Sequence, residues 1–197
     1  MPPTDLACLL YVVVVVAVLA ARAWLQKRAW IPSSVWATLI VVITSAFIIV
    51  FRWRVVTYDV PINPDEALMS ANSMLVRYGW LNWNIVDPLT SGPLNSLILA
   101  WPYLIGGDVT LSSTRLTGVV CLVGTLAILF LVLKRVFGEE VGAAAVVPAA
   151  LFLVATTAGD FLHYSSELLP DLLIAVAIFL LVVPRRRRTG VDRKSVV

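Results

Sequence analysis

The chain has 197 residues, of which 60% are hydrophobic and 14% charged, with a net charge of +3. That balance excludes a soluble globular domain and indicates a polytopic membrane protein. The basic residues lie bunched beside apolar runs, as orientation signals do, which argues against nucleic acid as a partner.

In chain order, apolar runs at 6–23, 34–51, 114–133, 141–157 and 168–183 approach or reach the ~17–25 helical residues that cross about 30 Å of hydrocarbon. The first is too long for a cleavable signal peptide and lacks a basic flank, so it reads as a span. Cys8 and Cys121 fall inside these runs, where a thiol behaves as a small hydrophobe rather than a ligand or disulfide partner. A shorter run, 94–105, contains Pro102. Its residues Leu94, Leu97, Ile98, Trp101, Leu104 and Ile105 recur at one-face helical spacing, which predicts a helix lying in the interface rather than crossing it.

Loops rich in Lys and Arg stay cytoplasmic, and this tests the shorter run independently. With Arg22, Lys27 and Arg28 inside, Lys134, Arg135 and the run Arg185 to Arg188 also fall inside only if 94–105 does not cross. Arg52 and Arg54 alone dissent. The expected topology puts the N-terminus, the loop 52–113 and the loop 158–167 outside, and the basic loops inside. The fold class expected is all-α, with about five transmembrane helices and two extracytoplasmic interfacial helices.

The outer loop contains "INPDEALMSANSMLVRYGW", residues 61–80. Asn63 suits a helix cap, Pro64 a first helical position, and Glu66 stands three residues after Asn63 as in a capping box. Acids in the first turn also complement the helix dipole. That account covers Glu66 better than Asp65. Ala67, Leu68, Ala71, Leu75 and Tyr78 share one face of the following helix, which predicts a membrane-surface helix, with Trp80 and Trp83 in an aromatic belt. Asp87-Pro88 and Ser91-Gly92-Pro93 are turn residues leading into the second surface helix.

The order of "NPDEALMSANSMLVRYGW", "SGPLNSLILAWPYLIGG" and "TRLTGVVCLVGTLAILFLVLKRVFG" resembles the GT-C superfamily of membrane glycosyltransferases, in particular the protein O-mannosyltransferase and lipid A aminoarabinose transferase-like branch. The resemblance covers 63–183. It implies a partial GT-C fold over 34–191, preceded by an extra N-terminal helix and cytoplasmic loop at 1–33. It also implies transfer of a sugar, of inverting type, from a polyprenyl-phosphate donor to a lipid, glycan or protein acceptor outside the membrane. A bacterial inner membrane and a place in cell-envelope assembly fit that expectation.

Residue by residue, the resemblance makes Asp65 the catalytic base or acceptor-orienting acid, with Glu66 its acidic neighbour. A base suits the chemistry, since a hydroxyl acceptor must lose its proton while the phosphate leaves with its own charge. Arg115, at the outer end of the third span, is the first candidate to contact that phosphate and Arg77 the second, with snorkelling to the interface as the ordinary account of Arg115. In "DFLHYSSELLPD" (160–171), Glu167 is the closest match to a second family acid and Asp171 the runner-up. Ser166 as a cap and Pro170 near a helix start give both acids a structural account as well. His163, the one histidine, could join Asp65 and Glu167 around a divalent metal cation or serve as an ordinary loop residue.

Residues 192–197, Asp-Arg-Lys-Ser-Val-Val, match the translation of a common sequencing adapter and are set aside from fold reasoning. The expectation is a reading frame cut short, so that these 197 residues alone are inactive. Two rival classes stand beside the enzyme. A non-catalytic membrane scaffold or lipid-binding subunit would use the acids only as caps. A transporter would place charged or helix-breaking residues at mid-membrane, where Pro148 alone qualifies.

Overall fold

The computed structural model describes residues 3–26, 32–79 and 92–182. Lys27, Arg28, Trp80, Trp83, Asp87, Pro88, Ser91, the Arg185 to Arg188 run and the 192–197 tail lie outside them. The described residues form helices α1 (Pro3–Gln26), α2 (Ser33–Val56), α3 (Pro64–Gly79), α4 (Pro93–Leu99), a 3-10 turn (Trp101–Ile105), α5 (Leu111–Phe137), α6 (Glu139–Ala155), α7 (Gly159–Leu162) and α8 (Leu168–Val182), with no strand among them. This is an all-α membrane protein. Within α1, α2 and α5, the stretches Leu6–Leu25, Ser34–Val56 and Leu111–Phe137 are long and apolar enough to cross a bilayer. The fourth and fifth expected spans, α6 and α8, have 17 and 15 described residues and fall short of that length.

The α2 helix outruns its apolar stretch. Arg52, Trp53 and Arg54 continue it, because nothing there breaks a helix, and it closes where Thr57 donates its backbone N–H and hydroxyl to the Trp53 carbonyl.

The chain divides into two compact units, 1–47 with 123–155 and 171–197, and 48–122 with 156–170. In the first, Ala37, Ile40, Phe130, Ala143 and Val146 form a buried cluster, with Val18, Val41 and Val147 packed on it. Tyr11 meets that packing with a polar tip, its hydroxyl 3.2 Å from both Thr44 Oγ1 and the Val147 carbonyl, and its ring packs edge-on against Phe47. A buried phenol needs such partners. Gly138, at φ +100°, turns the chain from α5 into α6, and a Cβ on Gly142 would lie 2.9 Å from the Lys134 backbone nitrogen. Arg22 pairs with Glu140 and Lys134 with Glu139 at 2.9 Å, so Arg22 of α1 and the basic end of α5 both meet the start of α6.

The second unit is built the other way round. On α3 the buried residues are Glu66, Met69, Ser70, Asn72 and Ser73, while Leu68, Ala71, Leu75 and Tyr78 are exposed. The α4 helix buries Asn95, Ser96 and Leu99, and leaves Leu94 and Ile98 outside. Pro102 removes a backbone donor and the segment tightens into a 3-10 turn, ended by Gly106 at φ +77°. In water this polarity would be inside out. It suits helices whose outer surroundings are apolar, as the periodicity of both segments predicts.

Candidate functional site

Asn63, Pro64 and Glu66 start α3 as their order predicts. Asn63 Oδ1 accepts the Glu66 N–H at 2.9 Å, Pro64 opens the helix, and Glu66 Oε2 accepts the Ile62 N–H at 2.7 Å. The box reaches one residue further back than usual, to Ile62 rather than Asn63. Glu66 has a second role that its cap position does not announce.

Arg115, 1% exposed, faces Glu66, also 1% exposed. Its Nε donates to Oε1 at 2.6 Å and one Nη to Oε2 at 2.8 Å. The remaining guanidinium donors go to the carbonyls of Val60 at 2.7 Å, Val55 at 2.8 Å and Tyr58. A guanidinium has five N–H donors, and all are spent. Arg115 therefore ties together the end of α2, the connecting segment, the start of α3 and its own helix. A buried charge is tolerated only on such terms.

Beside this pair, Asn63 Nδ2 lies 2.6 Å from His163 Nε2, joining the two loops expected on the outer side. Oδ1 of Asn63 already accepts from Glu66, so Nδ2 is the atom facing the ring, and an amide nitrogen can only donate. His163 Nε2 is thus an acceptor, and Nδ1 carries the proton toward the Tyr164 carbonyl at 2.7 Å. Tyr164 donates its hydroxyl to Asn95 Oδ1 at 2.5 Å, and Asn95 Nδ2 donates to the Ser166 carbonyl at 3.3 Å. Burial, foremost, pushes the Tyr164 phenol up, keeping it a donor. Gly118 lets α5 approach, since a Cβ there would lie 3.3 Å from Tyr164 Cα. Neither Tyr164 nor Asn95 was singled out in the sequence. A tyrosine beside the lone histidine was the available signal.

The remaining site candidates are solvent-facing. Asp65 is exposed in the first turn of α3, with no hydrogen bond or ion pair among the described residues. Glu167 is exposed, and the hydroxyl of Ser166 donates to its Oε1 at 2.9 Å. That bond, foremost, holds the carboxyl below its usual range, so Glu167 is ionised at neutral pH. Asp171 is exposed in the first turn of α8. Arg77 is exposed in the last turn of α3.

Three expectations are revised by this geometry. Glu66 and Arg115 face each other rather than solvent, so neither is placed to touch a substrate. Arg77 and Asp65 stand at opposite ends of one helix, roughly 18 Å apart at 1.5 Å per residue, so one sugar phosphate cannot bridge them. Asp65, Glu167 and His163 do not assemble a metal site. Among the described residues no three His, Cys, Asp or Glu side chains converge on one, and both His163 ring nitrogens are held by the protein.

No family model, curated protein or solved structure matches the chain.

Proposed function

We propose that this protein is a membrane glycosyltransferase whose extracytoplasmic site lies at the start of α3 and takes a sugar from a polyprenyl-phosphate donor. The observation that carries this reading is Asp65. It is an exposed carboxylate without a partner among the described residues, mounted on a helix start that a buried ion pair, a cap and a histidine contact hold in place. Such mounting is what a general base needs, because its geometry must be set before the acceptor arrives. Glu66 and Arg115 are positioning residues in this reading, and Asp65 is the catalytic one.

The donor phosphate requires a cation. Arg54 is exposed in the last turn of α2, directly before the Val55 carbonyl that Arg115 holds, and we assign it that contact. Glu167, charged and on the loop that His163 joins to α3, offers a second carboxylate for a sugar hydroxyl. The apolar outer faces of α3 and α4 suit a polyprenyl tail at the membrane surface. The site faces outside in the orientation set by the basic loops.

The test is sugar transfer from a radiolabelled polyprenyl-phosphate donor, measured for the protein with and without Asp65→Asn. Loss of a general base is expected to cost about 10²–10⁴-fold. Unchanged transfer in the Asp65→Asn variant would remove Asp65 from the mechanism.

A second reading, a non-catalytic membrane scaffold, is favoured by one observation: Glu66, half of the acidic motif, is fully occupied as cap and ion-pair partner. Under that reading the protein transfers no sugar at all.

A further inference from the structure

The far end of α3 holds a second charged feature, which the transfer reading does not use. Arg77 is 53% exposed, and its guanidinium carbon lies 5.4 Å from the Tyr78 ring centroid and 5.6 Å from that of Tyr103. The Tyr103 ring is itself fixed, since its hydroxyl donates to the Met74 carbonyl at 3.2 Å. Aromatic rings engage the faces of a guanidinium and leave its edge, where the N–H donors point, available. Among the described residues the carboxylate paired with it, on Asp108, is 83% exposed and 3.7 Å from Nη1, beyond hydrogen-bond distance. Arg77 is thus oriented, with its donors largely unspent among the described residues.

Its surroundings identify the class of anion. Tyr78 is 70% exposed, Leu104 88% and Ile105 74%, and exposed Met74 lies one turn back on the same face of α3. An anion held by this guanidinium has exposed apolar side chains beside it. A free ion would gain nothing from that surface, whereas a phosphate carrying acyl chains would bury it. We infer that Arg77, held by Tyr78 and Tyr103, is a binding site for the phosphate of an anionic membrane phospholipid, separate from the Asp65 site. Asp108 competes with the lipid for the same donors. The site would fix the C-terminal end of α3 at the membrane surface while the buried network fixes its N-terminal end. It stands whether or not the protein transfers sugar.

The test is native mass spectrometry of the chain released from phosphatidylcholine nanodiscs doped with phosphatidylglycerol. Wild type is expected to retain one phosphatidylglycerol in preference to phosphatidylcholine. Arg77→Gln is expected to lower that retention about tenfold, the loss of one charge-assisted contact. Arg77→Lys should fall between, since a lysine keeps the charge but cannot stack and present a planar edge together. Asp108→Asn should raise retention, a gain that misfolding cannot mimic. Retention unaffected by Arg77→Gln, or unchanged in Asp108→Asn, would overturn the proposal. Displacement of the lipid by an equal concentration of inorganic phosphate would also overturn it, by showing a site for a free anion.

Discussion

Glu66 and Arg115 meet at two points in a buried ion pair, Nε to Oε1 at 2.6 Å and Nη to Oε2 at 2.8 Å. The same guanidinium holds three backbone carbonyls from the segment before α3. Removing either side chain strands a charge where water does not reach. Arg115→Leu and Glu66→Leu are each expected to cost ~3–5 kcal/mol. The double variant should cost less than their sum, because neither partner is left charged. Thermal unfolding in detergent micelles measures this, and single variants that melt like wild type would contradict the pairing.

Both partners were visible in the sequence as charges beside apolar runs, and both were turned toward substrate. The misdirection has a physical origin. Periodicity reports which face of a helix is apolar, and in α3 and α4 that face was correctly legible from Leu68, Leu75, Leu94 and Ile98. What periodicity does not report is that in a membrane protein the opposite, polar face is the buried one, where an acid and an arginine find each other. The cap at Asn63 was legible because capping is local in sequence. The contact of Asn63 with His163 was not, since it joins residues 100 positions apart. The α6 helix lies two residues earlier than its apolar run, because the turn at Gly138, and not the first apolar residue, sets where it begins.

Asn63 has two tasks that substitution can separate. Asn63→Ala loses the cap, worth about 1 kcal/mol, and also the donor to His163. Asn63→Asp keeps the cap acceptor but sets a carboxylate oxygen against the lone pair of Nε2. The Asn63→Asp variant should therefore melt below wild type although its cap is intact, and an unchanged melting temperature would show that the ring contact contributes nothing.

Two helical glycines should respond oppositely to alanine. Alanine is favoured in a helix by about 1 kcal/mol over glycine. At Gly124 the added Cβ would meet only the flexible end of Leu172 at 3.1 Å, whereas at Gly142 it meets backbone at 2.9 Å. Gly124→Ala is expected to melt at or above the wild-type temperature, and Gly142→Ala below it. The reverse order would contradict the close approach of α6 to α5.

Glu167 supplies a pH prediction. Its carboxyl is held below the ordinary range by Ser166, so any interaction that needs its charge is fully present above the ordinary carboxylate value of about 4.3 and is lost only as pH falls below it. Donor binding should stay level from neutral pH down to that point and then decline. In Ser166→Ala the decline should begin at higher pH, and an unmoved profile would sever Glu167 from the site.

Donor binding at the start of α3 is the step on which sugar transfer by this protein depends. A polyprenyl-phosphate sugar carrying a photoreactive group on the sugar, irradiated with the chain in nanodiscs, reads this directly by peptide mapping. Labelling is expected between Ile62 and Leu68, suppressed by excess unlabelled donor but not by polyprenol, and weakened about tenfold by Arg54→Ala, the loss of one charge-assisted phosphate contact. Labelling that polyprenol suppresses equally, or that falls elsewhere in the chain, would contradict it.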